Sequence, residues 1–423
     1  MNLSRIKRWI LLGHRWLGIG TCLLFFLWFL SGVVMMYVGH PKLTWQERLE
    51  HLPPLEASQS LLSPADAFQR AGIHGTVTDL RLANARAGQP VYIAQIRPDA
   101  RPAPDAPRPE PRLLALDART GALLPPTDPA TALASAQAYL EQGGLSHPSS
   151  SGAPPSTNPR QLSPATAQDT PGKPLYQGIT VEDAHTHSAA MDLHRPLHKV
   201  LLPDADQTLL YISGTTGEVV RDAPRLERGL NYLGAWLHWL YLFRDTAIDW
   251  TDLIIWLSVI GTVATLSGFL AGIIRWRFSR PYRSGSRSPF APGALRWHHI
   301  LGLVFALTTF TWIFSGLMSM NPWDIFEADE SIIDARRISN PDIQPSRAIA
   351  TPQALLASTT TPVRELQWHT LLDKARVKAI RTHEVPPGST DQPILLSARS
   401  GKPYTLEPER LRSALFTLQR GFP

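Results

Sequence analysis

The sequence predicts a membrane protein with α-helical spans and exported α+β domains, built as two tandem parallel repeats of which the second is incomplete. Two observations carry this. The first is an internal duplication. His14-Arg15-Trp16-Leu17-Gly18 leads into an apolar run ending Trp28-Phe29-Leu30-Ser31-Gly32-Val33-Val34-Met35-Met36, and His298-His299-Ile300-Leu301-Gly302 leads into Trp312-Ile313-Phe314-Ser315-Gly316-Leu317-Met318-Ser319-Met320. His, Leu, Gly, Phe, Trp, Ser, Gly and Met recur at one constant offset. The second is hydropathy. Trp16 to Pro41, Leu253 to Ile274 and Ile300 to Pro322 carry no charged side chain, and each is long enough to cross a hydrocarbon core of about 30 Å as a helix, which takes about 20 residues. Three spans follow.

The basic start, with Arg5, Lys7 and Arg8 before an apolar run, has the outline of a signal peptide, but the run is too long and no Ala-x-Ala-like site ends it, so an uncleaved anchor is expected. Orientation comes from arginine. Arg5, Lys7, Arg8 and Arg15 precede the first span without an acid, and Arg275, Arg277, Arg280, Arg283, Arg287 and Arg296 lie between the second and third, again without one. Both segments are therefore cytoplasmic by the positive-inside rule. These ten cations exceed the net charge of +6 for the whole chain, so the basic balance reports membrane orientation and nucleic acid need not be invoked. The expected location is a bacterial inner membrane with the N-terminus cytoplasmic and the large domains in the periplasm. Reporter fusions test this: a fusion at Gly152 should behave as exported and one at Ser286 as cytoplasmic, and periplasmic-type activity at Ser286 would overturn the topology. The single cysteine, Cys22, lies in the first span, so no intramolecular disulfide can hold the exported parts.

The expected organisation is an N-terminal segment and first span over 1–41, an exported module over 42–148, a Ser/Pro-rich linker over 149–174 and a second exported module over 175–228. An interfacial segment and second span over 229–274, an Arg-rich cytoplasmic loop over 275–296, a third span over 297–322 and the exported module of the second repeat over 323–423 follow. Within these, Ser63-Pro64-Ala65-Asp66 reads as a capped helix start, Gln89 to Ala94 as a strand, Leu113 to Leu124 as strand, turn and strand, and Asp128 to Leu140 as a helix. The Pro-rich stretch Arg97 to Arg112 reads as an exposed loop. The Thr-Gly turn at Thr120-Gly121 recurs at Thr216-Gly217, with Ser400-Gly401 as a third instance. Val363 to Leu366 echoes Val77 to Leu80, and Thr351-Pro352 echoes the helix at Ser63. The second repeat stops just past a helix expected over Glu407 to Gln419, so the expectation is a gene extending beyond Pro423 or a chain that has lost a fourth span.

These stretches, with Leu237-His238-Trp239-Leu240-Tyr241 and Met320-Asn321-Pro322-Trp323, resemble the PepSY-associated transmembrane proteins, which include inner-membrane reductases for iron siderophores. The resemblance covers nearly the whole chain. It implies PepSY-like exported domains, four spans and membrane-bound haem passing electrons to an iron chelate; the chain departs from it in lacking the fourth span, which puts any ligand carried there out of reach.

Histidine is the commonest axial ligand of an electron-transfer haem, and two imidazoles from facing helices make a six-coordinate iron. No Cys-x-x-Cys-His is present, so any haem, one or two, is of b type. Because the first and third spans run in the same direction, a pseudo-two-fold along the membrane normal puts His14 and His298 at equal depth near the cytoplasmic face. They could share one haem or be interfacial histidines. His299 replaces Arg15 in the repeat and is either a ligand or a partner orienting one. His238, on the periplasmic side, is either a haem ligand or part of an aromatic belt. His40 and Met35 read as packing residues, and Ser31-Gly32 and Ser315-Gly316 as close-packing positions between helices. His185, His187, His194 and His198 match no compact zinc spacing and read as a solvated surface or strand edge. The leading expectation is a haem b oxidoreductase taking electrons from quinol or a cytoplasmic donor and reducing a ferric siderophore or similar chelate in the periplasm. The alternative is a membrane-tethered PepSY protein that binds and restrains a peptidase without redox activity, or a structural partner of an iron transporter.

Overall fold

A computed structural model of the 423-residue chain describes residues 3–73, 76–97, 111–143, 172–244, 246, 249–326, 339–340, 342–359, 361–371, 374–381, 394–405 and 409. In chain order its helices are α1 (Leu3–Tyr37), α2 (Trp45–Glu50), α3 (Pro64–Ala71), α4 (Pro129–Gly143), α5 (Arg225–Asn231), α6 (Trp250–Arg275), α7 (Ala294–Val304), α8 (Ala306–Ser319) and α9 (Pro352–Leu356). The strands are β1 (Thr76–Arg86), β2 (Gln89–Arg97), β3 (Arg112–Asp117), β4 (Leu175–Thr180), β5 (Leu197–Leu201), β6 (Leu209–Ser213) and β7 (Val219–Ala223). They are followed by β8 (Ser339–Asn340), β9 (Glu365–Leu371), β10 (Lys374–Ile380) and β11 (Ile394–Ser397). The chain divides into two units, Met1–His40 with Gly229–Glu330, and Pro41–Arg228 with Ser331–Pro423.

In the first unit α1 and α6 are each long and apolar enough to cross a membrane. The third expected span differs. It is two helices, α7 and α8, bent by 67° at Phe305. At 1.5 Å per residue neither half alone reaches across about 30 Å of hydrocarbon, so three spans are counted only if the bent pair is one. Neither proline nor glycine occupies the break, which is why hydropathy gives no sign of it. Both α1 and α8 pack on α6. Between α5 and α6 the chain makes a π-helical turn at Tyr232–Trp236 and then a left-handed residue at Leu240, with φ +52°. Such irregularities cost energy and concentrate at functional positions.

The second unit contains two antiparallel sheets. The larger runs in the order β11-β10-β9-β1-β2-β3, with β8 on the outer part of β9. The modules expected over 42–148 and 323–423 therefore form one continuous sheet, joined by β1 and β9 in the register Leu80↔Trp368, Arg81↔Gln367, Leu82↔Leu366. One face buries Leu80, Leu82, Tyr92, Leu366, Trp368 and Val377 beneath α3 and α9. The smaller sheet, β4-β5-β6-β7, buries Val200, Leu210 and Ile212 against Ala132, Ala136 and Tyr139 of α4. The helix starts follow their caps: Ser63 accepts from the Asp66 amide and Thr351 from the Ala354 amide, each with proline at the first helical position.

The turns expected at Gly121, Gly217 and Gly401 share one geometry, with φ of +77°, +77° and +70°. The amide of each donates to the carbonyl four residues earlier, at 2.9 Å. At Gly121 and Gly401 the next helix is so close that an added Cβ would lie 3.2 Å from the Ala67 carbonyl and 3.1 Å from that of Ala354. Positive φ and crowding together require glycine there. The helix expected over 407–419, most of the linker over 149–174 and most of the Pro-rich loop lie outside the described residues.

Candidate functional site

The structure brings His14 and His298 together. Their ring centroids lie 6.3 Å apart with planes only 16° from parallel. This is no stacking contact; the stacked pair His51 and Tyr139 sits at 3.6 Å. A separation of this size with near-parallel planes would be compatible with two imidazoles held on one metal ion.

Tautomer is fixed by the neighbours. The Nδ1 of His14 lies 3.2 Å from the carbonyl oxygen of Ala264 on α6; a carbonyl only accepts, so Nδ1 carries the proton and the Nε2 lone pair is left over. Ligating histidines almost always hold their second nitrogen in this way. Gly268, one turn further along α6, makes room for the ring, since a Cβ there would stand 2.6 Å from its Cε1. Gly268→Val is expected to displace the His14 ring while leaving α6 helical; a circular dichroism spectrum and haem content unchanged from the parent would refute this role for Gly268. The exposed His298 has no hydrogen-bond partner among the described residues, so both its nitrogens are available.

His299 is placed differently. It is 6 % exposed, its Nε2 donates to the Gly272 carbonyl at 3.0 Å and its Nδ1 accepts from the Ser288 hydroxyl at 2.8 Å. Trp276 and Phe290 meet the ring edge-on. With both nitrogens engaged, the ring fastens α7 and the Arg-rich loop to α6; of the two roles open to it in the sequence, the geometry favours the orienting one.

His238 follows α5 and the π-helical turn, and contacts the opposite end of α1. Its Nδ1 lies 3.1 Å from the hydroxyl of Ser31, which donates its own proton to the Leu27 carbonyl at 2.7 Å. His238 is therefore the donor to Ser31, and its ring also bonds the Trp28 backbone carbonyl. A Cβ on Gly32 would meet this ring in ordinary contact, at 3.5 Å, and the Trp28 ring lies at 6.4 Å. From His14 to Ser31 is 17 residues, roughly 25 Å along a helix, so the two histidine sites occupy opposite ends of α1. Ser315-Gly316, the counterpart of Ser31-Gly32, makes no such contact: Ser315 donates within its own helix and a Cβ on Gly316 would meet nothing.

The histidines of the second exported module hold the fold. His198 bonds the Thr127 carbonyl and the Tyr176 hydroxyl, both at 2.9 Å, and His194 bonds Ser213. His185 and His198 are buried, where the sequence predicts a solvated surface or strand edge; His198 lies on β5, between β4 and β6 in the smaller sheet. Among the described residues no group of three or more histidine, cysteine or acidic side chains could hold a metal ion.

A four-charge cluster between the two sheets has no signal in the sequence. Glu218 accepts from both terminal nitrogens of Arg81, at 2.8 and 2.6 Å, and Glu365 accepts from Arg48. Arg48 also lies 3.7 Å from Glu218, and Arg81 3.7 Å from Glu365. Burial alone would raise the Glu218 carboxyl, but Arg81 and Arg48 outweigh it and hold it at about 2. Its neighbour on β7, Asp222, goes the other way. Burial, then repulsion from Glu47, raises it to about 7. Comparison with family models, curated proteins and solved structures finds no match to this chain.

Proposed function

We propose that the protein is a haem b membrane oxidoreductase of the PepSY-associated type, built on a duplicated membrane unit, which reduces a ferric siderophore or similar chelate on the exported side. The observation that carries the reading is the His14–His298 pair: near-parallel imidazoles 6.3 Å apart, one of them held through Nδ1 by a backbone carbonyl. A tether or a peptidase-binding module has no use for such a pair.

Bound haem would supply a one-electron couple within the low-dielectric interior. The chain's own contributions are separable. His14 and His298 would hold one haem iron through their ring nitrogens, and His238 would hold another. Ala264 fixes which nitrogen His14 presents, and Ser31 accepts from His238. Gly268 gives the His14 ring room. His299 keeps the helix of His298 in place. A chelate reduced from Fe(III) to Fe(II) releases its metal more readily, because the smaller charge binds hard oxygen donors less tightly. Quinol or a cytoplasmic donor would supply the electron. A dithionite-reduced minus oxidised absorbance spectrum of the purified protein tests the reading. Bands of a low-spin b-type haem are expected, and a protein purified under haem-replete conditions without them would reject it.

A further inference from the structure

The face of β10 opposite Val377 and Ala379 carries a cation that no described acid neutralises. Lys374, Arg376 and Lys378 alternate along the strand and share a face, while Val377 and Ala379 point into the core on the other. Arg376 is only 8 % exposed. Its Nε is buried without a hydrogen-bond partner, and no carboxylate lies within ion-pair distance among the described residues. The half-buried arginines on the same side of the sheet are paired, Arg48 with Glu365 and Arg81 with Glu218. The contact Arg376 does make is with the Tyr404 ring, its Cζ lying 3.7 Å from the centroid. A cation–π contact returns less than withdrawing an ion from water costs.

The surroundings describe what would pair with it. Across the ladder Arg376 faces His369 and Lys378 faces Gln367. The acids on this face are Asp79, which lies by Arg81, and Glu365, already held by Arg48. Trp45 stands 5.9 Å from the Lys378 ammonium, so aromatic rings flank the cations at both ends. A planar guanidinium fork recognises paired oxygens bidentately, and the flanking rings suit an aryl group.

Resting on the ferric-chelate reading above, we propose that this face docks the chelate, and that it selects polyanionic catecholate-type complexes over neutral hydroxamate ones. The test uses the purified full-length protein and a gallium(III) tris-catecholate, which keeps the shape and charge of the ferric complex without accepting an electron. Titration calorimetry should show saturable binding, weakened at least about tenfold by Arg376→Gln or Arg376→Met, with a neutral gallium trihydroxamate binding at least as much more weakly. The Arg376→Met variant should unfold at the same temperature as the parent or a higher one, because it removes an unpaired buried charge; a structural arginine would give a fall. No binding by the parent, undiminished binding by both variants, equal binding of the neutral complex, or displacement by an equal concentration of oligoglutamate would each overturn the proposal. Binding does not depend on redox activity, so a protein that binds gallium catecholate but contains no haem would reject the oxidoreductase reading and leave this site standing.

Discussion

On the proposed reading, replacing His14 or His298 with alanine should remove or convert to high spin one b-type haem and abolish reduction of a ferric chelate, while the protein remains folded in the membrane. The expectation is large because no other strong ligand stands between α1 and α7 at that depth among the described residues, and loss of one axial nitrogen cannot be made good by the opposite ring. His238→Ala should leave that haem intact and affect only the other, where Ser31 orients the ring. His299→Gln should retain the haem but loosen the Arg-rich loop, since the bonds it loses run to Ser288 and Gly272. Haem stoichiometry, the reduced spectrum and limited proteolysis of the loop, measured on all four variants, separate these cases. Unchanged haem throughout would refute the ligand assignment, and stoichiometric loss in His299→Gln with an unchanged proteolysis pattern would make His299 a ligand.

The second large effect is on stability. Glu218→Ala leaves Arg81 without its bidentate partner in a buried site, and breaking such a pair costs about 3–5 kcal/mol, so the exported unit should unfold at a markedly lower temperature. The pH dependence has a definite sign. The Glu218 carboxyl is held at about 2, below its ordinary 4.5; the unfolded chain takes up its proton first, so the stabilisation is complete above pH 4.5 and is lost as pH falls towards 2. Asp222, raised from 3.8 to about 7, acts oppositely: its contribution is present below pH 3.8 and is lost as pH rises through 7. Asp222→Asn should therefore raise the unfolding temperature at pH 8 and change little at pH 4. Thermal unfolding followed by circular dichroism at both pH values checks both variants; a Glu218→Ala protein as stable as the parent at pH 7 would show that the four-charge cluster contributes nothing.

Much of this architecture is legible in the residues because it rests on local chemistry. Ser63 and Thr351 announce helix starts by their own capping bonds, and the Thr-Gly and Ser-Gly turns require glycine for a backbone reason visible one residue at a time. Matched positions in two apolar runs single out His14 and His298, because a titratable ring is costly beside hydrocarbon and its recurrence at one offset points to a use. What could not be read depends on partners far apart in the chain. The bend at Phe305 has no breaker residue, the continuous sheet depends on which edge strands meet, and the Arg81–Glu218 pair joins residues separated by 137 positions. The different roles of His298 and His299 are set by which helix each ring faces, and adjacent letters carry no sign of that. Arg376 escapes notice because an arginine in an alternating strand reads as solvated, and only its burial and its lack of a carboxylate among the described residues distinguish it.

The pairing of β1 with β9 joins residues nearly three hundred positions apart, with α1's partner spans and the cytoplasmic loop encoded between them. A growing chain thus exposes the inner edge of β1 for as long as it takes to insert those helices and deliver the second exported segment. Assembly of the sheet is consequently an order-of-events problem in biogenesis: high contact order makes it slow, and an open edge of alternating apolar residues invites foreign strands meanwhile. A holdase acting on the half-made chain would shield that edge, and its depletion should lower the yield of folded protein without altering insertion of the first helix.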